Sequence, residues 1–119
     1  MMIEQIDEVI KKLCHDSGFD MEMAALVVET YLTQTEDILN ATYQLIHESE
    51  YRGYKEIEGL MHKLKGSSGN VRAVYIMQLA LQAESYAQQK DEIRLLSVCQ
   101  EVSEIIKRYR YMLSEGVII

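Results

Sequence analysis

The sequence predicts an all-α protein: an antiparallel four-helix bundle with an additional short N-terminal capping helix, formed by residues 1–119 as a single domain. The chain of 119 residues contains no proline, which favours long uninterrupted helices. Apolar residues recur with the 3.6-residue period of amphipathic helices, and no useful length alternates with the period of two that strands require. Because the links between these stretches are short, neighbouring helices are expected to pack antiparallel.

The first two helices are separated by a short polar segment. The first is predicted over about residues 3–14, and the segment from His15 to Gly18 is expected to end it. Its apolar residues lie on one side: Ile6, Val9, Ile10 and Leu13. Asp20 has the side chain and the position of an N-cap for the second helix, whose apolar pattern extends to about His47.

Three further helices complete the predicted bundle. After a short polar break, the third begins near Tyr54, and its apolar rhythm changes around residues 70–73. The fourth is predicted over about residues 74–88. Asp91 is placed as the N-cap of the fifth, and Gly116 suits the C-terminal cap of that helix.

Charge and composition disfavour several function classes. With 12 Lys and Arg against 19 Asp and Glu, the net charge is −7, so a sequence-independent nucleic-acid partner is not expected. No apolar run approaches the roughly 20 residues of a membrane span, so no membrane partner is expected either. Cys14 and Cys99 form no metal or redox motif. We predict two reduced core thiols in a cytoplasmic, monomeric protein.

The third helix carries an unusual stripe on the side opposite its apolar sector. That sector is formed by Ile57, Leu60, Met61, Leu64, Ser68 and Val71. His62 points almost the opposite way, and Gly59, Gly66 and Gly69 share its direction. Each internal glycine costs a helix about 1 kcal/mol relative to alanine. A stripe without side chains therefore predicts that another surface must come close to the imidazole.

A simpler interpretation of the glycines stays open at two positions. Gly59 lies near the expected start of the third helix and Gly69 near its expected end, where glycine often marks a weak helix terminus. Gly66 is different, because the apolar residues before and after it keep the helical phase. The prediction of clearance for a partner is therefore firmest at Gly66.

An outward histidine in this pattern is suited to nucleophilic chemistry. Near neutral pH an exposed imidazole is largely unprotonated, and a ring nitrogen can attack phosphorus. Lys65 lies on the flank of the same face, where its ammonium can meet phosphoryl oxygens. A metal site is disfavoured because His15, His47 and His62 fall on three different helices. The pair Glu58 and His62 also lacks the Glu-x-x-His spacing of bundle metal enzymes.

The residues from His62 onward resemble the signature of the histidine-containing phosphotransfer (HPt) domain family of two-component phosphorelays. The family pattern is His, any residue, Leu, Lys, Gly and then small residues. Here it reads His62-Lys63-Leu64-Lys65-Gly66-Ser67-Ser68. The order of the helices is similar as well. The chain departs from the family at Arg72, ten residues after the histidine, where the family usually has glycine.

The resemblance implies a phosphocarrier that relays a phosphoryl group between receiver-domain aspartates, not an enzyme with autonomous kinase activity. His62 would be the phosphoacceptor, Lys65 would stabilise the phosphoryl charge and Gly66 would give the receiver clearance. The implied partners are response-regulator receiver domains and a hybrid or sensor histidine kinase. No cofactor would be bound by this chain, and Mg²⁺ is expected on the receiver. The resemblance also suggests four docking residues: Lys55, Gly59, Gly69 and Asn70.

The motif differs from a nucleotide-binding loop. Lys65 precedes Gly66, no matching glycine lies upstream and no strand precedes it, so we predict neither ATP binding nor autophosphorylation. Three alternatives stay open. The chain could be an adaptor that binds a receiver or kinase without transfer, the phosphoacceptor module of a chemotaxis-type or hybrid histidine kinase, or a metal-dependent bundle enzyme.

Overall fold

The computed structural model describes residues 5–48 and 53–115, and these residues form five α-helices and no strand. In chain order the helices are α1 Ile6–Ser17, α2 Met21–Glu48, α3 Gly53–Asn70, α4 Val74–Gln88 and α5 Glu92–Ser114. The predicted all-α class is confirmed. Within the described ranges, none of the helices combines the length and the apolar character that a membrane span requires.

Helices α2 to α5 form the bundle. α3 packs against α2 and α4, and α5 packs against α4 and α2, so that each helix has two neighbours in the ring. The side-chain contacts between α3 and α4 run in opposite directions along the two helices, from Glu58 with Gln88 to Lys65 with Glu84. The described part of the bundle measures 44 × 25 × 25 Å along its principal axes.

The additional helix α1 lies against α2. Its four buried residues belong to the same apolar cluster as the buried residues of the bundle: Ile6, Val9, Ile10 and Leu13. At the end of α1, the Asp16 carboxylate accepts a hydrogen bond from Arg72 Nε at 2.6 Å. The N-terminal helix is therefore attached both to α2 and to the corner that joins α3 and α4.

The prediction for the end of α1 is wrong by three residues. His15, Asp16 and Ser17 are helical, and the helix ends where Gly18 adopts a left-handed φ of 72° and donates its N–H to the Cys14 carbonyl. Polar residues do not stop a helix while its backbone bonds still form, whereas a left-handed glycine does. Gln5 is the N-cap of α1, and residues 3 and 4 lie outside the described ranges.

The two predicted N-caps are confirmed. Asp20 Oδ1 accepts a hydrogen bond from Met23 N at 2.8 Å, and Asp91 Oδ1 accepts one from Arg94 N at 3.2 Å. Both bonds satisfy backbone donors that the first turn of a helix leaves unpaired. The predicted cap at Gly116 lies outside the described residues.

The two cysteines are free thiols in different environments. Cys99 lies in the core, and burial raises the pKa of its thiol to about 12. Cys14 is only half-buried, with its Sγ 3.7 Å from Met21 Sδ. The prediction of a core thiol therefore holds in full only for Cys99.

Candidate functional site

The buried side of α3 sets the direction of His62. Ile57, Met61, Leu64 and Ser68 are buried, and the Ser68 hydroxyl shares a 2.6 Å hydrogen bond with the Tyr31 hydroxyl of α2. A helix anchored along this side must turn its opposite side to solvent. The His62 side chain is accordingly 69% exposed. The outward direction predicted from the helical phase is confirmed.

His62 is connected to α4 through Glu84. The Nδ1 atom of the imidazole lies 3.1 Å from Glu84 Oε2, and Lys65 Nζ lies 3.1 Å from Glu84 Oε1. The two carboxylate oxygens therefore bridge the histidine and the lysine, which are three residues apart on α3. The Glu84 side chain is only 14% exposed, so the bridge lies beneath the surface that the imidazole presents.

The charge on Glu84 determines which nitrogen of His62 carries the proton. Partial burial raises the pKa of Glu84, but the hydrogen bonds and positive charges of Lys65 and His62 outweigh it, and the net pKa lies below the ordinary value. An ionised carboxylate only accepts hydrogen bonds, so Nδ1 must be the donor. In neutral imidazole the lone pair is then on Nε2, which has no hydrogen-bond partner among the described residues.

The glycines of α3 do not share one environment. A Cβ atom added to Gly59 or Gly66 would meet nothing within 4 Å, so both positions leave open space beside His62. A Cβ atom added to Gly69 would lie 3.3 Å from Met77 Sδ of α4. Gly69 is therefore half-buried against a neighbouring helix, and the predicted single open stripe is continuous only from Gly59 to Gly66.

The structure brings some of the predicted docking residues together and separates others. Lys55 and Gly59 line a shallow cleft of about 270 Å³ together with His62, Glu84 and Glu58. Asn70 does not line this cleft: it is the last residue of α3 and is exposed at a cavity between α2 and α3. The roles predicted for Lys55, Gly59, Gly69 and Asn70 in partner binding stay predictions.

Arg72 itself adopts the left-handed conformation, with φ 69°, at the position where the family usually has glycine. Ala73 N donates to Ser68 O at 2.8 Å and Arg72 N donates to Gly69 O at 3.2 Å. These two bonds form the Schellman motif that often ends a helix with a left-handed residue. The Arg72 guanidinium also donates to the Gly69 and Asn70 carbonyls and to Asp16, contacts that glycine lacks.

Sequence reasoning did not identify Glu84 as a site residue. No motif connects it to His62, from which it is separated by 22 positions. A weak signal exists, because His62 and Glu84 lie equally far from Ala73, at the turn between two antiparallel helices. Gly69 and Met77 are likewise equidistant from that turn. The partner of His62 can be found from the sequence only after the turn is located.

The arrangement is suited to a nucleophilic imidazole with an adjacent cation. His62 presents a ring nitrogen to solvent, Glu84 holds the other nitrogen, and Lys65 supplies positive charge nearby. Among the described residues, no three His, Cys, Asp or Glu side chains are grouped so that they could hold a metal ion.

A comparison with family models identifies the family. The family model described as the Hpt domain matches residues 26–114, which include all of α3, α4 and α5 and most of α2. Helix α1 lies outside the match. Neither curated proteins nor solved structures gave a match. Hpt domains are phosphocarrier modules that interact with receiver domains and kinases in two-component phosphorelays. Because the match covers well over half of the chain, and the bundle and its outward histidine agree with it, the chain belongs to the Hpt domain family.

Proposed function

We propose that His62 relays a phosphoryl group between the aspartates of two receiver domains. The observation that carries this proposal is the exposed imidazole, whose Nδ1 is held by Glu84 while Nε2 faces solvent. In the neutral tautomer with its proton on Nδ1, the lone pair of Nε2 is available to attack an electrophile. In the proposed role the chain is a phosphocarrier and has no autonomous kinase activity.

The proposed step transfers phosphorus from oxygen to nitrogen. The Nε2 lone pair of His62 forms the N–P bond as the P–O bond of the aspartyl phosphate breaks, and the aspartate carboxylate leaves with the bonding electrons. The proton on Nδ1 stays in its hydrogen bond to Glu84, which favours the imidazolium character that develops on the ring. Transfer to the second receiver is the reverse of this step.

Lys65 can serve two anions at once in this proposal. Its ammonium has three donors, and one of them is directed to Glu84 Oε1. The remaining donors are available to the oxygens of an incoming phosphoryl group, whose charge is spread over three oxygens in the transition state. Lys65 thus keeps Glu84 ionised before transfer and stabilises negative charge during it.

Gly66 supports the approach of a large partner. It lies one turn beyond His62 and leaves open space where a side chain would otherwise project. Phosphoryl transfer depends mainly on alignment and on stabilisation of charge, so the two domains must come into close contact. In this proposal the receiver brings the Mg²⁺ ion and the phosphorylated aspartate, and this chain brings the nucleophile and the shaped surface.

The test uses a receiver domain labelled with radioactive phosphate on its aspartate. We expect the wild-type protein to acquire a label that survives alkali and is lost in acid, as expected of a phosphoramidate. His62→Gln should abolish the label, while His47→Gln, at an exposed histidine of α2, should retain it. Labelling of His62→Gln would remove His62 from the reaction. ATP alone should label neither protein.

We also propose that the protein acts as a monomer in the cytoplasm. Both cysteines are free thiols, as is usual in a reducing compartment. Light scattering across a range of concentrations tests the oligomeric state, and fractionation of cells tests the location.

A further inference from the structure

We propose that the Glu84 carboxylate keeps a proton on Nδ1 of phosphorylated His62 and thereby keeps the phosphoryl group ready to leave, so that the protein passes the group on and does not store it. This inference rests on the proposed function, because it concerns the second half of the relay, in which His62 gives up its phosphoryl group. Glu84 is a positioning residue in this role, since its carboxylate acts on the ring and not on phosphorus.

The proton on Nδ1 determines how readily the N–P bond breaks. When the aspartate of the second receiver, or water, attacks phosphorus, the electron pair of the N–P bond passes to Nε2. If Nδ1 carries a proton, the group that leaves is a neutral imidazole. If Nδ1 carries none, the group that leaves is an imidazolate anion, which is a far poorer leaving group. A phosphorylated imidazole loses this proton near neutral pH, so its reactivity falls as the pH rises through that range.

The position of Glu84 allows it to hold this proton while phosphorus is bound. Its Oε2 lies 3.1 Å from Nδ1 of His62, whereas the phosphoryl group would be bonded to Nε2, on the other side of the ring. The Glu84 side chain is only 14% exposed, so water competes poorly for its oxygens. A phosphorylated ring that keeps its Nδ1 proton carries a positive charge. A carboxylate that accepts a hydrogen bond from this ring stabilises the protonated form over the unprotonated one.

The other charges around His62 do not replace Glu84. The cleft beside the imidazole has four further lining residues, and none of the described residues of α2 is among them: Lys55, Glu58, Gly59 and Glu84. Lys55 and Lys65 are cations, so they oppose a positive charge on the ring. Of the two carboxylates in the cleft, only that of Glu84 is bonded to His62, whereas that of Glu58 accepts a hydrogen bond from a glutamine of α4.

The expected consequence is a shift in the pH dependence of phosphoryl loss. The reactive, protonated ring is present below the pH at which Nδ1 loses its proton, and reactivity is lost as the pH rises through that point. Because Glu84 stabilises the protonated ring, it moves that point to higher pH. Transfer and hydrolysis then stay fast at neutral and mildly alkaline pH, so the phosphohistidine is short-lived where the relay operates.

The experiment measures the lifetime of the phosphohistidine without a receiver. A parent protein with His15→Gln and His47→Gln retains His62 as its only histidine, and potassium phosphoramidate phosphorylates it chemically. Release of inorganic phosphate is followed from about pH 5 to about pH 10, in the parent and after addition of Glu84→Gln or Glu58→Gln. Glutamine keeps the shape of glutamate, but its neutral amide can donate as well as accept, so it does not favour a proton on Nδ1.

The result should separate the two glutamates. We expect the pH at which the hydrolysis rate is half-maximal to be about one pH unit lower in Glu84→Gln than in the parent, so that at about pH 8 its phosphohistidine lives about tenfold longer. Glu58→Gln removes an equal charge from the same cleft and should change the lifetime by less than about twofold. An unchanged profile in Glu84→Gln, or equal shifts in both variants, would overturn the proposal.

A second measurement observes the proton directly and needs no substitution at Glu84. In the phosphorylated parent at about pH 8, the nitrogen NMR resonance of Nδ1 should be that of a protonated nitrogen, whereas in a phosphorylated histidine of a short peptide it should be that of an unprotonated one. An unprotonated Nδ1 in the protein would contradict the proposal, as would phosphorylation of His62 on Nδ1.

Failure of this inference is distinguishable from failure of the proposed function. The phosphorylated parent and its Glu84→Gln variant are finally mixed with unphosphorylated receiver domains. Transfer with equal phosphohistidine lifetimes in the two proteins would overturn this inference alone. If no receiver accepts the phosphoryl group although the lifetimes differ tenfold, the proposed function fails, while the effect of Glu84 on the phosphorylated ring stands.

Discussion

The middle and the C-terminal end of α3 use the same residue type for different purposes. In the middle, Gly66 lies in open space one turn after the exposed His62. At the end, Gly69 lies beneath Met77, and the following left-handed residue is an arginine bonded to α1. Glycine in the middle thus leaves open space at the surface, which we propose that a partner uses, whereas glycine at the end leaves room for the molecule's own α4. The role of a glycine in this helix therefore depends on what faces the position that its side chain would occupy.

The largest expected effect separates the two glycines. Gly66→Leu should reduce the rate of transfer from a receiver by about 100-fold or more, because the leucine would occupy the space that the partner needs. It should slightly raise the free energy of unfolding, since leucine is the better helix former by about 0.8 kcal/mol. Transfer is measured with labelled receiver, and stability by urea denaturation.

Gly69→Leu provides the contrast to Gly66→Leu. The leucine would be forced against Met77, and we expect the free energy of unfolding to fall by about 1–3 kcal/mol. Wild-type transfer by Gly66→Leu would refute the role of clearance in the middle of α3. If Gly69→Leu does not lower the free energy of unfolding, the inference that the C-terminal end of α3 uses its glycine to pack against α4 is refuted.

The middle of α3 also depends on α4 for the orientation of its histidine. Glu84→Gln should lower the maximal transfer rate about tenfold, because a neutral amide no longer requires Nδ1 to carry the proton. The concentration of receiver needed for half-saturation should change little, since Glu84 is mostly covered. Single-turnover kinetics at several receiver concentrations separate the two quantities.

Glu58→Gln is the matched control for Glu84→Gln. Glu58 also reaches from α3 to α4, where it accepts a hydrogen bond from Gln88 at 3.1 Å, but it does not bond His62. Its substitution should leave the maximal transfer rate near that of wild type. Equal losses in the two variants would mean that general negative charge, and not the bond to Nδ1, supports the reaction.

The smallest expected effect concerns the backbone at the end of α3. Arg72→Ala and Arg72→Gly both remove the guanidinium contacts, but only glycine adopts a φ of 69° without strain. We expect the glycine variant to be more stable than the alanine variant by about 1 kcal/mol, the reverse of their order inside a helix. Chemical denaturation of both variants tests this difference.

The variant Asp16→Asn shows what the arginine side chain adds. It should destabilise the wild-type protein slightly and have almost no effect in the Arg72→Gly background, because the bond from Arg72 Nε is then already lost. If the Arg72→Ala variant has the same free energy of unfolding as the Arg72→Gly variant, the left-handed conformation of residue 72 is contradicted.

Periodicity was a sufficient guide to the helices of this protein. The apolar pattern predicted five helices and the outward direction of His62, and side-chain type predicted the N-caps Asp20 and Asp91; the structure confirms all of these. These features depend on residues within a few turns of one another, where the geometry of a helix is known in advance. The end of α1 was misplaced because polar composition is a weaker stop signal than the left-handed glycine at position 18.

The family motif drew attention to His62 and its neighbours, but it did not predict the contacts that hold them. Lys65 was expected to meet phosphoryl oxygens, which stays a prediction, and the structure adds a contact with Glu84 that the motif did not predict. Gly69 was expected to belong to the open stripe, and it lies against Met77. Both differences involve α4, whose side chains meet α3 only after the chain has turned at residues 71–73.

Local spacing along the chain was therefore enough to specify an all-α bundle and to turn one histidine toward solvent, because a helix relates residues three and four apart by a constant rotation. Folding decided the rest: that Glu84 reaches Nδ1, that Gly66 is open while Gly69 is covered, and that a cavity lies between α2 and α3. These features depend on the distance and register between helices, which are set by the packing of side chains from separate parts of the chain.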